Sequence, residues 1–101
     1  MISNKLQDAI NAQINAEFWS AYLYLSMGMH FENAGYGGIA NWYRIQFKEE
    51  QAHAEILMNY LNSRGGRVVL APIAEVPTEW ESPLAAFAAT CLLYTSPSPR
   101  D

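Results

Sequence analysis

The chain has 101 residues, six basic against ten acidic for a net charge of −4, with half of its residues apolar and 16% charged. That length holds one domain, and that apolar share builds a core rather than a disordered coil. Basic residues so few and dispersed exclude a phosphate-tracking surface, so nucleic acid and anionic membrane are not expected partners.

Cys91 is the only cysteine, which leaves no internal disulfide and no thiolate cage within one chain and suits a reducing compartment. The opening MISNKLQDAINAQ is polar from its third residue and lacks the basic-then-apolar layout of an export signal. No apolar run nears the roughly 18 residues of a membrane span. A cytoplasmic location is the expectation.

Ser3 or Asn4 can cap a helix starting near Lys5, and the pattern holds until Gly35, with Gly37 and Gly38 close behind. A first helix is predicted over residues 5–34. From Ile39 to Arg64 the chain carries neither Gly nor Pro, and Gly65-Gly66 follows as a C-terminal stop. That predicts a second helix over 38–64. Each is about 40 Å or more at roughly 1.5 Å per residue, and the short glycine turn makes them an antiparallel hairpin.

Residues 65–82 hold Pro72 and Pro77 with an apolar patch at Val68, Val69 and Leu70 and no helical period, so they read as an extended crossover. A connection of that length carries the chain back to the other end of a bundle before the next helix. Ser82 as N-cap and Pro83 in the first helical position announce that third helix, predicted over 83–90. The tail CLLYTSPSPRD, residues 91–101, has no helical pattern and is read as a non-native appendage. The fold class is all-α, a fragment of a four-helix bundle.

On a helical wheel, Ile39, Tyr43, Leu57 and Leu61 fall within about 20° of Glu50, while Arg44, Lys48 and Glu55 fall opposite. His53 lies about 60° to one side, one turn on, and Glu49 about 100° round on that side. In the first helix Leu6, Ile10, Tyr24 and Gly28 lie within about 20° of Glu17, and Asp8, Asn11 and Asn15 turn away. Two glutamates therefore sit mid-stripe on faces that should be buried. A solvated surface charge is the ordinary state of a helical glutamate, and it fits Glu49 at the stripe edge better than Glu17 or Glu50.

Unpaired, such carboxylates cost several kcal/mol each and repel one another. No Lys or Arg falls near either stripe centre except the distant Arg64. A metal is the better counter-charge, and oxygen donors with one imidazole and no thiolate favour iron or manganese over structural zinc. Glutamates from separate helices plus a Glu-x-x-His pair form the dinuclear carboxylate site described for ferritin-like bundles.

The stretches NAQINAEFWSAYLYLSM, ENAGYGGIANW, FKEEQAHAE and ESPLAAFAAT together resemble the N-terminal half of a bacterial non-haem ferritin. The resemblance implies an iron-storage subunit with ferroxidase activity, taking Fe(II) and dioxygen, in a homo-oligomeric shell of 24 subunits. It implies Glu17, Glu50 and His53 as iron ligands with Glu50 bridging two ions, Tyr24 beside the centre, and Glu49 at a neighbouring third iron site. The haem-binding relatives carry a methionine directly after the bridging glutamate; Gln51 stands there, so no haem is expected. The family's next ligand, a glutamate a few residues past Thr90, falls where CLLYTSPSPRD stands, so the chain is expected to carry about half of the site and to be inactive alone.

Alternatives are a di-iron peroxidase of the rubrerythrin kind and a non-catalytic helical hairpin that self-associates. Phe18, Trp19, Tyr22, Leu23 and Met27 lie off the Glu17 stripe and need cover, from another subunit or from the crossover. His30, on the far side of the first helix, is expected at the surface; Met27, Met29 and Met58 are expected to pack rather than ligate. Trp80 and Tyr60 are read as structural.

Overall fold

A computed structural model describes residues 2–95, which form three helices and no strand. The first helix, α1, spans Asn4–Asn33. Ser3 caps it, its Oγ accepting from the Leu6 N–H at 3.2 Å. At the far end the Gly35 N–H donates to the Glu32 carbonyl and the Tyr36 N–H to the Phe31 carbonyl, the paired bonds of a Schellman stop. Gly35 holds φ at +92°, where a side chain would be strained.

Helix α2 spans Gly37–Ser63 and starts without a side-chain cap. It ends the same way, with Gly65 and Gly66 donating to the carbonyls of Asn62 and Leu61 and Gly65 at φ +77°. The two helices pack as the expected antiparallel hairpin, each one residue earlier in the chain than predicted at both ends.

The crossover lies along α1 and runs in its direction. Gln7 Oε1 accepts from the Arg67 N–H, and Asn11 both donates to the Arg67 carbonyl at 3.0 Å and accepts from the Val69 N–H at 2.9 Å. Further on, Ser26 donates to the Pro77 carbonyl at 2.7 Å, and His30 Nε2 lies 3.0 Å from the Trp80 carbonyl. An extended segment cannot bond to itself, so α1 supplies the partners its backbone requires. The chain thereby returns to the hairpin's turn.

There α3 begins, spanning Pro83–Thr95, with Ser82 Oγ accepting from the Ala85 N–H at 3.1 Å. It runs five residues past the predicted end at Thr90. The reason is local: Cys91 to Thr95 hold no Gly or Pro, the first proline stands at 97, and Leu93 packs against the core. The expected non-native character of 91–101 falls partly on residues outside those described.

The interior divides in two. Near the turn, Leu23, Tyr24, Met27 and Phe31 of α1 meet Ala40 and Tyr43 of α2, with Val76 of the crossover and Ala86 of α3. Near the open end, Ile10 and Ile14 meet Leu61, with Phe18 and Val68 alongside. So the crossover covers Leu23, Met27 and Phe18, while Tyr22 stays exposed. Met27 and Met58 pack as expected; Met29 is exposed. His30 is a correction: half-buried under the crossover, with its ring edge-on to Phe31 and Trp80 because the crossover seals the side that looked solvent-facing. Leu6 is exposed although on the stripe, lying in the first turn before the hairpin core begins. Trp80 packs on the turn-end cluster, whereas Tyr60 is exposed under the Arg64 guanidinium, 5.1 Å from its ring centre, and braces nothing in the core. No helix among the described residues is long and apolar enough to cross a membrane.

Candidate metal centre

Between the two apolar clusters the hairpin is lined by small residues, with Ser20 and Ala21 on α1 and Ala54 on α2 all buried. Into this waist α1 sends Glu17 and α2 sends Glu50, only 3% and 1% exposed. Their depth follows from register: each is the mid-stripe position of its helix, and antiparallel packing brings the two mid-points level.

His53, one turn beyond Glu50, completes the group. Its Nδ1 lies 3.5 Å from Glu17 Oε2 and 3.8 Å from Glu50 Oε1, and its side chain is 54% exposed. One ligand atom from each of the three residues lies within 4.8 Å of the others, the group of acidic and imidazole side chains that the described residues bring together for a metal. The two carboxylates are thus closed off from solvent, and the imidazole side opens outward.

Two carboxylates at this depth repel one another and lose hydration, which a divalent cation among them reverses. Oxygen donors with one imidazole are the donor set of iron or manganese. The residues fit such an ion. Tyr24, fully buried, lies in the adjoining cluster with its ring stacked on Tyr43 at 6.0 Å between centres. Glu49 is exposed and outside the group, as its position at the stripe edge allows.

Burial raises the Tyr43 hydroxyl above its ordinary 10.0, with a lesser push from the Cys91 thiol, against the lowering effect of its hydrogen bond to Thr90. That bond is 3.0 Å, and Thr90 Oγ1 in turn lies 3.0 Å from the Ala86 carbonyl, to which it donates. The Tyr43–Thr90 contact ties α2 to α3.

One neighbour of the site escapes a reading from sequence. Gln13 donates from Nε2 to Glu17 Oε1 at 2.8 Å. Its spacing of four residues from Glu17 was the available signal, since such pairs share a helix face.

The ferritin-like domain family matches residues 7–96. A bacterial non-heme ferritin of Bacteroides fragilis is 49% identical over 87 residues, 86% of this chain and 55% of its own length. A chloroplastic ferritin of Phaseolus vulgaris is 44% identical over 81 residues, 78% of this chain and 32% of its own. Among solved structures, an open-pore ferritin of the hyperthermophilic archaeon Archaeoglobus fulgidus superimposes with a TM-score of 0.86 at 50% identity, covering 88% of this chain and 55% of that one. The chain spans about half the length of the bacterial relative. With the hairpin, the crossover and the inward Glu, Glu and His in place, the match over nearly the whole chain has one meaning: the chain belongs to the ferritin family.

Proposed function

We propose that the chain forms the N-terminal part of an iron-storage subunit that oxidises Fe(II) with dioxygen at a dinuclear carboxylate site. The observation that carries this reading is the burial of Glu17 and Glu50 on facing helices with His53 within reach of both. Glu17 and His53 would each hold one ion, and Glu50 would bridge the pair. Tyr24, buried in the adjoining cluster, would by the family resemblance act beside the site, through a hydrogen bond or as a source of an electron. When bound, the iron supplies one electron per ion to dioxygen.

The protein's own part is positional. Their burial keeps bulk water from the carboxylates, which strengthens their hold on a cation. The half-exposed His53 marks the side by which ions enter and by which the rest of the site would be supplied. Glu49, exposed one residue before Glu50, is placed to receive a third ion or to relay the ferric product outward. Storage of that product calls for a closed shell of subunits, 24 by analogy with the family, and the single cysteine suits a reducing cytoplasm.

Aerobic Fe(II) oxidation by the protein extended to the length of its bacterial relatives tests the reading, with Glu50→Ala beside it. The variant is expected to lose at least about 100-fold in rate, the scale of removing a group that stabilises developing charge. Equal rates would remove Glu50 from the chemistry.

A further inference from the structure

Gln13 sits one turn before Glu17 on α1, and its amide nitrogen donates to Glu17 Oε1 at 2.8 Å. The contact also fixes the amide, since the flipped form would set oxygen against oxygen. What the amide does with its other end is the informative part: Gln13 Oε1 is buried and, among the described residues, meets no hydrogen-bond donor. A buried acceptor left in that state works against folding. An apolar side chain of the same length would serve the hairpin better. A residue that opposes the fold while clasping a carboxylate of the candidate centre belongs to the centre's design.

The clasp is also selective between the two oxygens of Glu17. Oε1 receives the amide, while Oε2 faces the imidazole, 3.5 Å from His53 Nδ1. We propose that Gln13 is a positioning residue for the metal site: it claims one oxygen of Glu17 so that the carboxylate meets an ion through the other alone. A carboxylate with both oxygens at liberty can chelate one ion through the pair and fill an extra coordination position. A hydrogen bond to one oxygen suppresses that mode and orients the other, as outer-shell partners do in metal sites generally. This inference rests on the metal-binding reading of Glu17, Glu50 and His53.

Cobalt(II) is the probe, because the shape and strength of its visible band report coordination number and dioxygen does not consume it under ordinary handling. The 101-residue chain is titrated with Co(II) beside Gln13→Met and Glu17→Ala, and the melting temperature of each is measured without metal. Methionine keeps the length of glutamine and removes the donor. The expected result is a Gln13→Met chain that melts no lower than the original, binds Co(II) about 10- to 100-fold more weakly, and shows a weaker band as Glu17 begins to chelate. Loss of the band in Glu17→Ala assigns it to this site. An unchanged affinity and band in Gln13→Met overturns the inference while leaving the metal site standing. A lowered melting temperature in Gln13→Met makes the residue structural and overturns it too. Absence of any cobalt band in the original chain overturns the metal-binding reading itself, and the role of Gln13 falls with it.

Discussion

Tyr43 joins the chemistry of the waist to the stability of the hairpin. Its ring lies between Tyr24 and Phe31, and its hydroxyl reaches Thr90 on α3. Because burial raises its pKa, the folded chain holds this proton more tightly than the unfolded chain does. The stability so contributed is complete below pH 10.0, the ordinary value, and is lost as pH rises through the higher folded value. Tyr43→Phe removes the group. At neutral pH the variant should be less stable by about 0.5–1.5 kcal/mol, one hydrogen bond, and the gap between the two chains should close as the pH passes above 10.0. Urea unfolding of both across that range measures it. At this scale the inward carboxylates were legible in sequence, because a charge at a stripe centre breaks the pattern that surrounds it. His30 was not, since a histidine opposite the stripe breaks nothing until the crossover is placed over it, and Gln13 was signalled only by its spacing of four residues from Glu17.

The elements follow the same division. Both helix ends were readable to within one residue because Gly35 and Gly65 are needed there for a left-handed turn. The end of α3 was not, since nothing local stops a helix before Pro97. How the crossover is fastened was also hidden: proline spacing declares an extended segment, but its partners belong to a helix 50 to 60 residues away in the chain. Asn11 is the clearest case, with both ends of its amide spent on Arg67 and Val69. Asn11→Ala should cost about 1–2 kcal/mol, two partly exposed hydrogen bonds, and should loosen the segment around Val69 first. Thermal unfolding gives the total, and hydrogen exchange at the Val69 amide gives the location.

For the molecule as a whole, the apolar surface left open is the decisive feature. Ile39, Trp42 and Tyr43 of α2 and Pro83, Leu84 and Phe87 of α3 line one groove, and Leu84 is 76% exposed. A chain that spans about half of its bacterial relative, with such a groove uncovered, should associate with itself. Light scattering on the purified 101-residue chain checks this, and a mass that stays monomeric as concentration rises would contradict it. The divided interior has a consequence of its own. Two greasy blocks share a pair of rods, and the carboxylates between them, Glu17 on one rod and Glu50 on the other, set like charges face to face. An ion lodged there works as a rivet, so its grip and the stiffness of the whole rod pair are a single linked quantity. Whatever tightens one must, by the same free energy, tighten the other.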